Sequence, residues 1–146
     1  MSTIVLVHPG SLFGSLSMSG DAWNRHSRTV RREINRDLCS ADEIVVARGR
    51  LFDEFRASSL HASCASRGAD YYDVPPRVPE LRLFGAAVAN GGEAPFIVTG
   101  AWATGCIKCI ATGIDQKGCP VSISRRSALH PSEEPPDLME ETVEIQ

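Results

Sequence analysis

Pro95-Phe96-Ile97-Val98-Thr99-Gly100-Ala101-Trp102-Ala103-Thr104-Gly105-Cys106-Ile107 is the stretch on which the fold turns. Phe96 to Thr99 is apolar or β-branched without a break, the pattern of a strand covered on both faces. Gly100 to Gly105 reads as a turn. After it Ile107, Ile110, Ala111 and Ile114 recur at spacings of three and four, the apolar stripe of a helix. A buried strand turning directly into a helix is half of a parallel βαβ unit.

The flanking sequence repeats the theme. Thr3 to Val7 and Ile44 to Ala47 are further uninterrupted apolar strands, and Val121-Ser122-Ile123 is the last, following Gly118 at the end of the helix. Asp21 is placed to cap a helix to about Leu38, with Trp23, Val30, Ile34 and Leu38 on one face. Arg25, Arg28, Arg32 and Arg36 crowd its other sides; such a face could touch nucleic acid or phosphate, and the favoured reading is a solvated surface. A short helix is expected towards His61. Tyr71 to Val74 is a candidate short strand. Leu81, Phe84 and Val88 stripe a helix that stops at Asn90-Gly91-Gly92. Strand and helix therefore alternate, predicting an α/β three-layer sandwich with a mostly parallel sheet between helices. Residues 1–130 read as a single α/β domain. The acidic C-terminal tail 131–146, with Glu133, Glu134, Asp137, Glu140, Glu141 and Glu144, is expected to be mobile or to lie on a partner subunit.

Composition narrows the function classes. The chain has 146 residues, 42% hydrophobic and 23% charged, enough for one packed core. A net charge of −3 argues against nucleic acid or anionic lipid as a general partner. No stretch approaches the roughly 20 apolar residues that span a bilayer, and the N-terminus lacks the pattern of a signal peptide. A cytoplasmic location is the expectation, with Cys39, Cys64, Cys106, Cys109 and Cys119 as reduced thiols. Lys108 and Lys117 are the only lysines.

In a parallel α/β sheet, ligands bind beyond the carboxyl ends of the strands. Three turns qualify: His8 to Ser15, Arg48 to Phe55 and Gly100 to Cys106. Cys106 opens a helix, where unpaired backbone N–H groups and the positive dipole end favour thiolate and can hold an oxyanion. Its bland alternative is a small buried hydrophobe.

The segment from Phe96 through Cys106 to Val121 resembles the nucleophile segment of the isochorismatase-like cysteine hydrolases. That pattern has an apolar strand, a glycine, a cysteine six positions on, a glycine twelve beyond the cysteine and a valine three beyond that. Gly100, Cys106, Gly118 and Val121 match each spacing. The resemblance implies a parallel sheet between helical layers and hydrolysis of an amide, or of isochorismate's vinyl ether, through an Asp-Lys-Cys triad. His8 stands where the family has its aspartate, with Phe13 five positions on. Aligning Phe55 and Leu60 puts Gly49, between Arg48 and Arg50, at the lysine. Only the cysteine of the triad carries over.

The reading that results is a divergent hydrolase of this family, expected to be oligomeric, acting on a small amide or related carbonyl compound. Cys106 is its nucleophile and His8 the partner that takes its proton. Arg48 or Arg50 could bind a substrate carboxylate, and Trp102 and Phe13 complete the candidate substrate contacts. No cofactor or metal is called for. The alternative is a catalytically silent binding or assembly module of the same fold. Cys106-Ile107-Lys108-Cys109 also resembles a thioredoxin-type Cys-x-x-Cys, but too little chain follows it for that fold, and a single such pair is poor evidence for zinc. Cys109 is expected to be buried near Ile110. The Pro9 to Ser15 loop lacks phosphate-loop residues and reads as a turn. His26, His61 and His130 read as surface residues.

Overall fold

The structure is a computed structural model that describes residues 2–13, 21–49, 52–92, 94–103, 105–129 and 143–144. Five strands lie parallel: β1 (Thr3–Val7), β2 (Glu43–Arg48), β3 (Asp70–Asp73), β4 (Phe96–Ala101) and β5 (Val121–Leu129). Their helices are α1 (Asp21–Ser40), α2 (Phe52–Arg56), α3 (Ser59–Ser66), α4 (Val78–Gly91) and α5 (Cys106–Asp115). A short 3-10 turn, Pro9–Leu12, follows β1. The strand order is β3-β2-β1-β4-β5, and β6 (Val143–Glu144) adds an antiparallel edge against Ser122 and Ile123. Two residues of the expected acidic tail thus pair with the chain's own sheet; the rest of that tail lies outside the described residues.

Strand periodicity divides the core in two. Val5, Val7, Val45, Ala47 and Val98 face one side, where they meet Leu81 and Val88 of α4 and Ile107, Ile110 and Ile114 of α5. Ile4, Leu6, Ile44 and Val46 face the other, against Val30, Ile34 and Leu38 of α1, Phe55 of α2 and Leu60 of α3. This is the three-layer sandwich that the uninterrupted apolar strands require. Among the described residues, no helix is long and apolar enough to cross a membrane.

The sheet is less regular at β5. The two-residue step from Val98 to Gly100 faces the five-residue step from Ile123 to Ala128. Ser124, Arg125, Arg126 and Ser127 fill this bulge, so the polar run that ends the strand at Ile123 in the sequence reading instead interrupts a longer one. Ser124 donates to the Ser127 hydroxyl at 3.1 Å, and Ser127 donates to the Asp37 carboxylate of α1. Burial holds the Asp37 carboxyl above its ordinary range, against the lowering effect of the Ser127 bond. The folded state therefore favours the protonated form. Stability from this group is fully present below the unfolded value of 3.8 and falls as pH rises through the higher folded value. Asp37→Asn, which can still accept from Ser127, should remove that fall. Urea denaturation from acid to neutral pH should show the variant gaining on wild type as pH rises; a constant difference would refute the assignment.

Two expectations are corrected here. His26 is a core residue, 2% exposed, because it follows Trp23 by three positions on the buried face of α1. His61 is half-buried, with its ring 5.3 Å from Phe55 and 5.9 Å from Tyr71, while His130 lies outside the described residues.

Candidate active site

The strand order reverses direction between β1 and β4. From β1 the chain runs to β2 on one side, and from β4 to β5 on the other, through helices on opposite faces. The loops leaving adjacent strand ends therefore diverge, and a crevice opens at the rim between them. His8 ends β1 and Trp102–Cys106 follows β4, so both sit at this point.

A cavity of about 290 Å³ occupies it, lined by His8, Ser11, Pro76, Trp102 and Cys106. Cys106 is the first residue of α5 and is half-buried. Burial pushes its thiol above the ordinary value, as does the neighbouring Cys109 sulfur; the backbone amides of Trp102 and Cys106 itself pull the other way. Desolvation prevails, so the sulfur rests as a neutral thiol at neutral pH. The peptide between Ala101 and Trp102 is cis.

His8 is 4% exposed and stands in the left-handed backbone region, φ 44°. It is the one described non-glycine residue with positive φ, a conformation that histidine tolerates better than most residues but that still stores strain. Its main-chain N–H bonds the Ala47 carbonyl at 2.8 Å. Its Nε2 lies 2.8 Å from the Val74 carbonyl oxygen. A carbonyl can only accept, so Nε2 carries the proton and Nδ1 is the nitrogen left to receive one. Burial lowers the ring's pKa, opposed by the Val74 bond. His8 is a neutral imidazole at neutral pH.

Gly49 lies against this ring. A Cβ placed on Gly49 would come 2.5 Å from His8 Cδ2 and 2.7 Å from Cγ. A side chain at position 49 would therefore require the His8 ring to shift.

The other sequence candidates separate. Trp102 lines the cavity. Arg48 does not: its Nε lies 2.9 Å from Asp73 Oδ1 and its guanidinium 5.6 Å from the Phe52 ring. Its charge is already answered at the end of β3. Phe13 packs towards Phe55 and Arg31, lining a different cleft beside α1. Arg50 lies outside the described residues, as do Gly14 and Ser15. Cys109 is half-buried rather than buried, packed with Cys106 against the α4–α5 side of the core, and both are free thiols. Among the described residues no three His, Cys, Asp or Glu side chains are gathered to hold a metal. Ser11 belongs to the His8 to Ser15 turn expected at this rim, whereas Pro76 was not foreseen. The proline cluster Pro75-Pro76 marked a loop, but nothing local tied it to a rim two strands away.

In comparisons with known proteins, no family model, no curated protein and no solved structure matches the chain.

Proposed function

We propose that the chain is a divergent isochorismatase-like cysteine hydrolase acting on a small amide or related carbonyl compound. The observation that carries this reading is the cavity at the sheet's switch point, where a helix-opening cysteine and a neutral histidine line the same space. An enzyme needs such a pocket at its nucleophile. In this reading Cys106 Sγ attacks the carbonyl carbon while its proton passes to His8 Nδ1, directly or through one water. Amides at the start of α5 stabilise the oxyanion. The tetrahedral intermediate expels the amine, which takes the proton from His8, leaving a thioester on Cys106. Water then attacks the thioester carbonyl while His8 takes its proton; the carbon–sulfur bond breaks, the acid leaves, and His8 returns the proton to Cys106 Sγ.

The second reading is a silent binding or assembly module. It is favoured by the makeup of the cavity, whose lining among the described residues includes neither carboxylate nor lysine, and by Lys108 and Lys117 both being exposed.

Acylation separates the two. With p-nitrophenyl acetate as probe, the acetyl adduct should form on Cys106 in preference to the exposed Cys39 and vanish in Cys106→Ser, read by peptide mass spectrometry. Adducts on Cys39 at an equal or higher rate would discard the hydrolase and leave the silent module.

A further inference from the structure

A second cleft, of about 230 Å³, lies between α1 and α3, well apart in sequence from the cysteine turn. Arg28, Arg31, Arg32 and Asn35 line it from α1 and Ser59 from the start of α3, with Phe13 and Leu60 as apolar walls. Positions 28, 31, 32 and 35 follow the spacing that puts them on one helical stripe. Like charges at this spacing repel on an isolated helix, and here no carboxylate among the described residues pairs with them. Arg36, Arg48, Arg56 and Arg77 each meet an acidic side chain, at Glu33, Asp73, Asp53 and Glu80. Arg28, Arg31 and Arg32 meet none among the described residues. Arg31 is only partly exposed, its guanidinium 4.9 Å over the Phe13 ring, and both burial and Arg28 disfavour its charge.

The polar groups of the cleft point one way chemically. Ser63 donates to Asn35 Oδ1 at 3.1 Å, which leaves the Asn35 amide N–H groups as donors. Ser59 opens α3, whose cap is Ser58 accepting from the His61 amide at 3.2 Å, so the positive end of that helix is turned to the same place. Three guanidinium groups, an amide donor, a hydroxyl and a helix start therefore surround a small space with an aromatic wall. This is a set for a planar-fork grip on a tetrahedral oxyanion.

We infer that the cleft between α1 and α3 binds the phosphate group of a small phosphorylated molecule, with Arg28, Arg31 and Arg32 as its cationic ligands and Phe13 against the ligand's apolar part. The three charges fall within one turn and a third of α1 and line one cavity, which suits a single phosphate rather than a strand of them. The arginines that the sequence presents as solvated helix surface are held in this geometry at the expense of their mutual repulsion. An anion relieves that repulsion and should stabilise the fold by mass action.

The test uses the full chain, with inorganic phosphate and phenyl phosphate as probes against chloride at constant ionic strength, by calorimetry and thermal melting. Both probes should bind saturably and raise the melting temperature. Phenyl phosphate should bind more tightly through Phe13. Arg31→Gln should weaken binding roughly tenfold or more, the loss of a charge-assisted contact. In phosphate-free buffer it should melt no lower than wild type, since it removes repulsion. Arg25→Gln, exposed and outside the cleft, and Cys106→Ser should bind as wild type does, which keeps this result independent of the hydrolase reading. Absence of saturable binding, an equal loss in Arg25→Gln, or tighter binding of a single-stranded oligonucleotide than of phenyl phosphate would overturn the inference.

Discussion

His8→Ala should slow alkylation of Cys106 by iodoacetamide about a hundredfold at neutral pH, the lower end of what a positioned base contributes. The size follows from the resting states of the two groups. Burial raises the thiol above its ordinary 9.0, so at neutral pH fewer than about one sulfur in a hundred is ionised without help. The imidazole that lines the same cavity is pushed below its ordinary 6.5 and is therefore already the free base. Wild type should show two limbs in its rate profile. The first rises as His8 loses its proton, with a midpoint below 6.5, because lowering a base's pKa extends its neutral form to more acid pH. The second rises above 9.0 as the thiol ionises unaided. His8→Ala should keep only the second. His8→Asn guards against a purely structural effect. Asparagine tolerates the left-handed backbone and can donate to the Val74 carbonyl, yet it cannot take the proton. Its profile should match that of alanine. Gly49→Ala, which drives a methyl into the His8 ring, should lower the first limb without removing it. Identical two-limbed profiles in wild type and His8→Asn would end the dyad and favour the silent module.

The parts of this molecule that could be read in the sequence are those in which burial is written residue by residue. β1, β2 and β4 are buried on both faces, so their apolar runs have no gaps and β1 and β2 could be placed to within about a residue, while β4 runs on through Gly100 and Ala101, which read as turn. β3 carries no such signal. Asp70-Tyr71-Tyr72-Asp73 is an edge strand with mostly exposed side chains, and its charged ends suit an edge rather than a core. The end of β5 was hidden for another reason: the bulge is stabilised by serines and by an aspartate from α1, a contact between residues ninety apart. His26 could have been found, since it shares a face with Trp23 and Val30, but a titratable residue on an apolar stripe is easily assigned to the surface. For the site, the same distinction holds. Cys106 and His8 were legible because each ends or follows a strand, and parallel strands send their ends to one rim. Ser11 comes with His8 in the turn after β1, but Pro76 comes from the loop after β3, whose arrival at this rim depends on strand order, which periodicity does not encode. The arginine stripe was visible as composition; only the approach of α3 and Phe13 turns it into a cleft.

Gly85→Ala and Gly113→Ala should each destabilise the protein, although both put a better helix former into a helix. In an exposed helix interior this exchange stabilises by about 1 kcal/mol. Here α4 and α5 meet backbone to backbone. A Cβ on Gly85 would overlap the Ile110 carbonyl, and one on Gly113 would overlap the Arg82 carbonyl. Neither obstacle is a side chain that can rotate away, so the helices must part, and Leu81, Val88, Ile107, Ile110 and Ile114 lose close packing together. Overpacking of this kind costs about 1–3 kcal/mol and occasionally more, which exceeds the propensity gain and reverses the sign. Gly91→Ala supplies the control. It lies near the end of the same helix with nothing within 4 Å of the added carbon, and should be neutral or slightly stabilising. The double variant carries the sharper information. Once one methyl has separated the helices, the second meets less resistance, so the combined loss should be smaller than the sum of the two. Chemical denaturation of the four variants and wild type measures all of this. A gain in stability from either Gly85→Ala or Gly113→Ala would show that the helices do not touch as described, and would also dislodge α5, the helix on which the position of Cys106 depends.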